Sequence, residues 1–450
     1  MNFAIQHVDY WRDELSRVAP KSTEVIVALP DLYGRLVGST VSVDHFLSYV
    51  VVRGLPACSY LLACDLDMEM VPGMELDPSG NSYGDFVLVP VPGTLRLASW
   101  ETDTAIVIAD VYWPNGSDVA VSPRSILNRQ LERLGAVGLV AFAGTEVEFL
   151  VFDESYDEAL RRRYSDLTAA TRFNSDYSLT GLERIDKVTS RLRTELSRSG
   201  FEIETARGEI NRGQYEVVCR YQEAMATCDA HAVLKTAAKR IAAQEGKSLT
   251  FMSRFDGGEG NACHIHFSLR TADGGLVFPA EDSDDQMSSL MKWFMAGLLV
   301  CVRDFALLSA LTINSYKRLA RAEFAPKLAG WGWDDRLSAV RVVGRGVGLR
   351  FEYRLPGGDA NPYLAMASIV AGGLYGIENQ LELPTQGDGG EVCLPRTLSE
   401  ALESWESSEL VREAFGPDVR RHYSQLARAE LELFESTVTD WERIRGFERL

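Results

Sequence analysis

The stretch AGTEVEFLVFD, residues 143–153, decides how the chain is read. As a strand, it sends alternate side chains to opposite faces. Glu146 and Glu148 then point the same way, out of a run that is otherwise mostly apolar. Two anions side by side in a half-buried strand repel each other and resist desolvation. Such a strand needs something to neutralise it.

The bulk composition sets the bounds. A chain of 450 residues exceeds one ordinary core and predicts at least two domains. Hydrophobic residues make up 46% and charged residues 24%, the balance of a soluble globular protein. The net charge of −18 argues against a nucleic-acid partner and mildly favours a cationic one, although solubility accounts for most of it. The seven cysteines are scattered, with no C-x-x-C, as in a reduced cytosolic protein. Asp9, Arg12, Asp13 and Glu14 interrupt any N-terminal signal peptide. The most apolar run, WFMAGLLVCV (293–302), is too short to span a bilayer and reads as a buried helix. These features predict a cytoplasmic protein without a membrane partner.

Residues 1–115 read as strand-rich, with EVIVALPD, VVVR, YLLACDLDM, DFVLVPVP and TAIVIADVY as β-type runs. SPRSILNRQLERLG (122–135) reads as a helix with Ser122 as cap, Pro123 in its first turn and Gly135 at its end. A domain boundary is expected near 116, dividing the chain into 1–115 and 116–450. Beyond it, helices alternate with strands. TGLERIDKVTSRLRTELSRSG is amphipathic and ends at Gly200. DAHAVLKTAAKRIAAQEG is expected to start from an Asp229 cap. NPYLAMASIVAGGLYGIENQ is a buried helix. TLSEALESWESS and a segment from about 417 to 445 form a helical C-terminus. The fold class is α+β.

Four polar groups sit where an ordinary core would be apolar. They are Glu146 with Glu148, Glu209 with Glu216 around a Gly213 turn, His264 with His266, and Glu352 with Arg354. Singly, each reads as ordinary: solvent-facing carboxylates, a satisfied core histidine pair, a salt bridge. Together, five carboxylates and an imidazole supply hard oxygen ligands plus a nitrogen. That set suits Mg²⁺ or Mn²⁺ better than zinc. Arg318, Arg336, Arg341, Arg350 and Arg354 add guanidinium forks, which suit phosphate and carboxylate. A divalent cation with arginines suggests phosphoryl transfer. There is no G-x-x-x-x-G-K-[ST] loop, and GRGVG (344–348) leads into a strand, unlike a dinucleotide fingerprint. GGEG (257–260) is a better place for a substrate to approach backbone.

These motifs together resemble the glutamine synthetase superfamily, type I branch, most strongly from residue 137 to 382. The family's E-x-E strand matches GTEVEFLVFD, and its second acidic pair matches Glu209 and Glu216. Its H-x-H-x-S-L matches HIHFSL. Its N-S-Y-K-R-L stands as Asn314–Leu319, and its R-x-E-x-R is RFEYR, followed by A-N-P-Y-L. The resemblance implies a small β-grasp-like N-terminal domain and a large catalytic domain with a curved antiparallel sheet and flanking helices. It implies homo-oligomers of stacked hexameric rings, and two to three Mg²⁺ or Mn²⁺ per subunit with ATP as co-substrate. Glu148, Glu209 and Glu216 would bind one metal, and Glu146, His264 and Glu352 a second. Gly260, Arg318 and Arg354 would hold glutamate. Tyr221, His266 and Ser268 would lie along ATP, with Arg336, Arg341 and Arg350 on its phosphates. The implied reaction phosphorylates the γ-carboxylate of glutamate, and an amine then attacks the acyl phosphate.

The sequence departs from true glutamine synthetases at the ammonium site. Six residues after Arg318, where the family has a flap glutamate, stands Phe324. The family's Asp-Gly-Ser-Ser turn is also absent; YLLACDLDMEM stands in its region, with Asp65 or Asp67 as possible contributors. An anionic cage sized for ammonium is thus exchanged for an apolar wall, worth roughly 25 cal/mol per Å² of buried carbon chain. This pattern resembles the γ-glutamyl-amine ligases of the superfamily, which use polyamines, ethanolamine or other small amines. An ammonia-using glutamine synthetase and a non-catalytic assembly protein are the alternatives. PTQGDGGEVCLP (384–395) lacks the tyrosine that some type I enzymes have adenylylated.

Overall fold

The computed structural model describes residues 8–74, 76, 84–280, 285–387 and 392–450. Residues 388–391, within PTQGDGGEVCLP, fall outside the described residues. Two sheets organise the chain. The first contains β1 (Glu24–Pro30), β2 (Leu36–Ser42), β3 (Leu55–Cys58), β4 (Asp85–Pro90), β5 (Arg96–Leu97) and β6 (Thr104–Tyr112). Its order is β2-β1-β6-β4-β3, with β5 against β6 and β1 parallel to β6. Helices cover the apolar faces of this sheet and of a second, mostly antiparallel one.

That second sheet contains β7 (Leu139–Phe152), β8 (Ile203–Gly208), β9 (Gln214–Cys219), β10 (Gln222–Glu223), β11 (Ser248–Thr250), β12 (Cys263–Thr271), β13 (Trp331–Trp333), β14 (Val340–Val343) and β15 (Arg350–Tyr353). Its order is β13-β14-β15-β12-β7-β9-β8, with β10 and β11 also on β7. The β7 strand is therefore the hub. It carries the opening stretch of sequence and pairs with four neighbours.

Burial explains the sequence patterns. In β6, Val107 enters one core while Ile106 and Ile108 enter the other, so TAIVIADVY reads as a continuous apolar run. In β7, Val147, Phe149 and Val151 pack under the helices Glu183–Arg198 and Ala224–Gln244. The WFMAGLLVCV run lies in the buried helix Ser289–Cys301. Among the described residues, no helix is long and apolar enough to cross a membrane. All seven cysteines are unpaired.

Four local expectations are corrected. VVVR is helical, not a strand. Ser42 caps this segment by accepting from the His45 amide, and burial of Phe46, Val50 and Val51 overrides their β-propensity. YLLACDLDM supplies the 3₁₀ turn Ser59–Leu62, which drives Leu62 into the core. Asp229 is no cap: its helix starts at Ala224, and Asp229 is buried inside it. The helical segment expected from about 417 to 445 is two helices, Glu409–Ser436 and Asp440–Gly446, the first broken at Gly416, with φ 84°, just before Pro417.

Asp229 has a structural task. Arg124, on the helix Pro123–Ala136, donates to it through Nε at 3.0 Å and Nη2 at 3.1 Å, and also to Asp110 of β6. Tyr363 Oη donates to Asp229 at 2.7 Å. One buried guanidinium thus ties the first sheet to three helices. Removing one partner of a buried pair leaves an uncompensated charge. Asp229→Ala should therefore destabilise the fold by about 3–5 kcal/mol, read as a drop in Tm. An unchanged Tm would contradict this role.

Candidate active site

Strand register assembles the site. His264 lies opposite Glu146 across β12 and β7, and Glu216 lies opposite Glu148 across β9 and β7. Glu352 faces His266, and Arg341 faces Glu352. Arg207 faces Glu216. Directly opposed residues sit about 4.5–5.5 Å apart. The backbone ladder therefore forces these charges together while the intervening apolar residues of β7 point away.

Their shared face opens on a cavity of about 1010 Å³. Asp65 and Asp67 stay outside it, and every other site residue expected from the sequence lines it except Tyr221 and Ser268. Those two line an adjoining cavity of about 470 Å³, which shares Glu146, Arg207, His266 and Arg350 with the first. There, Tyr221 Oη accepts from Arg270 Nη2 at 3.2 Å, and the Arg270 guanidinium lies 4.6 Å from the Phe142 ring centre. Such a wall of rings and guanidinium suits a flat aromatic ligand.

Two ligand clusters form within the larger cavity. The ligating atoms of Glu148, Glu209 and Glu216 all lie within 4.8 Å of one another, as do those of Glu146, His266 and Glu352. His264 Nδ1 is 3.5 Å from Glu146 and 3.3 Å from Glu352. The two histidines differ in what they can offer. Arg350 Nε donates to His266 Nδ1 at 3.1 Å, which leaves Nε2–H to donate to Glu146 at 2.8 Å. Both nitrogens of His266 are thereby engaged. His264 is kept neutral by burial and by Arg354, its pKa falling to about 4. It is the better nitrogen donor for a cation.

The carboxylate triad is electrostatically unsettled. Glu148 accepts from the Ala262 amide at 2.8 Å and from Gln214 Nε2 at 2.9 Å. Arg207 Nε donates to Glu209 at 3.1 Å. Its Nη1 lies 2.7 Å from Glu216 without hydrogen-bond geometry. Burial, followed by the charges of Glu146 and Glu148, raises Glu216 to about 9. Burial and then Glu209 raise Glu148 to about 7. Glu146 goes the other way: its burial is outweighed by hydrogen bonds from His264 and His266. Buried carboxylates that ionise reluctantly, with all-oxygen donors, fit a hard divalent cation.

Two glycines permit this crowding. Gly213 turns the chain between Glu209 and Glu216 with φ 75°, and a Cβ there would sit 2.6 Å from the Val151 carbonyl. A Cβ on Gly260 would sit 2.2 Å from the Ser253 carbonyl and 2.8 Å from Arg318 Cγ. The arginines are held by protein acceptors. Arg318 Nη1 donates to Leu355 O at 3.0 Å, and Arg354 donates to Glu352 and to Arg336 O. Arg341 donates to Glu352 and Asp334. Charges fixed before substrate arrives cost no reorganisation during reaction.

The cavity also holds residues that sequence reasoning missed: Arg207, Asp176, Tyr177, Glu259 and Asp334. Arg207 was within reach, two positions before Glu209 and hence on the same side of an extended chain. Its guanidinium lies 4.8 Å from the Tyr177 ring centre. Asp176 and Tyr177 sit in an irregular stretch with no periodic signal.

Two clusters with the donor chemistry to hold a cation lie beside an arginine-lined cavity on a mostly antiparallel sheet, within a glutamine synthetase catalytic domain. Residues 120–445 match that domain's family profile, and the chain belongs to the glutamine synthetase family. It is 49% identical over 431 residues to the gamma-glutamylethanolamide synthetase of Streptomyces coelicolor, covering 95% of this chain and 93% of that one. It is 30% identical over 425 residues to a glutamate–isopropylamine ligase of a Pseudomonas species, covering 92% and 93%. Among solved structures, a GmaS/ADP complex superposes with a TM-score of 0.83 at 25% identity, covering 98% of this chain and 99% of that one.

A cation ligated by the triad requires the carboxylates in their anionic form. Burial and like charges raise Glu216 to about 9 and Glu148 to about 7, which favours their protonated forms near neutral pH. Mg²⁺ binding at pH 7 should therefore release protons, and Mg²⁺ affinity should rise with pH until both groups are ionised. Calorimetric titration in buffers of different ionisation enthalpy measures the release. Identical heats in all buffers would contradict it.

Proposed function

We propose that this ATP-dependent glutamate–amine ligase acts on a small primary amine of the ethanolamine class, with Phe324 as part of the amine wall. Phe324 is 44% exposed and lines the cavity beside the carboxylate triad. An apolar ring there gives a carbon-bearing amine a surface that a carboxylate would give to ammonium. The similarity to a gamma-glutamylethanolamide synthetase supports the amine class.

In this reading Glu148, Glu209 and Glu216 hold one divalent cation, and Glu146, His264 and Glu352 hold another, Mg²⁺ or Mn²⁺. The donor chemistry fits both. Bound cations would offset charge on the transferring phosphoryl group. Tyr221 and Ser268 would border the base of ATP, and His266 with Arg350 would reach its phosphates. Arg336 and Arg341 would stabilise the phosphoryl group in transfer. Gly260, Arg318 and Arg354 would hold glutamate with its γ-carboxylate toward the phosphates. Phosphoryl transfer yields γ-glutamyl phosphate and ADP; attack by the amine yields the γ-glutamyl amide and phosphate.

Residues 1–115 would form the β-grasp-like domain, and the catalytic domain would run from 116, consistent with a profile match that starts at 120. Assembly into stacked homo-hexameric rings and a cytoplasmic location complete the reading. The unpaired cysteines agree with a reducing compartment.

The test is Mg²⁺-dependent phosphate release from ATP and glutamate across ammonium, ethanolamine, putrescine, spermine and simple alkylamines. Ethanolamine-class amines should exceed ammonium. Turnover with ammonium alone would make the enzyme a glutamine synthetase. Phe324→Glu should shift kcat/KM toward ammonium, relative to ethanolamine, by about tenfold, or about 1.4 kcal/mol. An unchanged ratio would remove Phe324 from the amine site.

A further inference from the structure

We propose that Glu259 is the general base that accepts a proton from the incoming amine. The proposal rests on the glutamate–amine ligase reading above. An amine of ordinary basicity arrives at neutral pH as R–NH₃⁺, which has no lone pair with which to attack. Phe324, at the family's flap-glutamate position, cannot take that proton. A general base must therefore come from elsewhere in the cavity.

The cavity's carboxylates narrow the choice. Five of them belong to the two cation clusters. Asp334 is paired with Arg341. Asp176 and Glu259 remain among the described residues. Asp176 lies in an irregular stretch near Glu209, whose pKa its charge helps raise, after burial. Glu259 is better placed, because three walls of the cavity meet at it. Its Oε2 accepts from the Glu323 amide at 2.9 Å, on the flap beside Phe324. Its backbone is clamped to the Glu209–Glu216 turn: Asn211 Nδ2 donates to Glu259 O at 2.7 Å, and Glu259 N donates to Asn211 Oδ1 at 3.2 Å. Its neighbour Gly260 packs against Arg318. The carboxylate is half-buried and accepts from one neutral backbone amide, that of Glu323. Lys327 is close enough to feel its charge, but no lysine or arginine among the described residues comes within ion-pair distance of it. It is an anchored anion between the flap and the proposed glutamate subsite.

The step balances. An N–H bond of R–NH₃⁺ breaks, its electron pair stays on nitrogen, and the proton forms an O–H bond on Glu259. The nitrogen lone pair attacks the carbonyl carbon of γ-glutamyl phosphate. The C–N bond forms, and the C–O bond to phosphate breaks with its pair leaving on oxygen. A second proton from nitrogen goes to the departing phosphate. The cycle closes when Glu259 loses its proton to water.

The experiment compares two nucleophiles in the full-length enzyme: ethanolamine, cationic at pH 7, and hydroxylamine, already neutral there. Both assays use ATP, glutamate and Mg²⁺. In Glu259→Gln, kcat with ethanolamine should fall at least about 100-fold at pH 7 and recover as the pH rises and free amine accumulates. The hydroxylamine rate and the glutamate KM should stay near wild type, which also shows that the variant is folded. Equal loss with both nucleophiles would overturn the proposal in favour of a structural flap contact. A raised glutamate KM with normal amine chemistry would overturn it in favour of substrate anchoring. Selective loss in Asp176→Asn, but not in Glu259→Gln, would move the role to Asp176. If wild type turns over ammonium alone, the amine-ligase reading fails. The same comparison with ammonium in place of ethanolamine still decides the role of Glu259.

Discussion

Like charges held at strand spacing are the constraint on which this site depends. Glu146 and Glu148 project from one face of β7, and the ladder places Glu216 and His264 directly opposite them. No side-chain rotation can take these groups far apart, because hydrogen-bonded backbone sets their spacing. The repulsion is met in two ways. Around Glu146, histidines and arginines donate to the carboxylates. Around Glu148 and Glu216, burial dominates, and Arg207 contacts two of the three acids. The first cluster has more of its charge offset by protein donors than the second.

The same geometry explains the shape of the catalytic cavity. Short strands toward one edge of the sheet carry Arg341 and Arg350, and buried Arg354 follows β15; backbone and carboxylate acceptors fix all three. The loop 257–260 and the segment that carries Phe324 also line the cavity and are joined through Glu259. A strongly polar floor thus meets exposed aromatic rings, Phe324 and Tyr177. That contrast suits chemistry in which a charged phosphoryl group and a carbon-bearing amine converge on one carboxylate.

The fold depends less on the site than the site depends on the fold. Arg124, Asp110, Asp229 and Tyr363 link the first sheet to the helices behind the second. Their geometry keeps the helical layer in register with β7, whose apolar side chains pack beneath it. Asp229 looked like a helix cap in the sequence. A capping residue and a buried ion-pair partner carry the same carboxylate, and only the start of the helix at Ala224 tells them apart.

The sequence by itself determined the E-x-E strand, the paired acids around Gly213, the histidine pair and the arginine-rich strand, because period-two alternation makes one face visible. It also determined the family and the exchange of an acid for Phe324, since both are written in motif order. It misread VVVR as a strand, because β-branched residues carry β-propensity whereas burial of Phe46, Val50 and Val51 is a tertiary fact. Only the tertiary structure decided that Arg207 contacts Glu216, that His266 has both nitrogens engaged, and that Glu259 reaches the flap. Each depends on register or loop contacts between segments distant in sequence. One chain's residue pattern fixes which face a side chain takes, but not which neighbour it meets there.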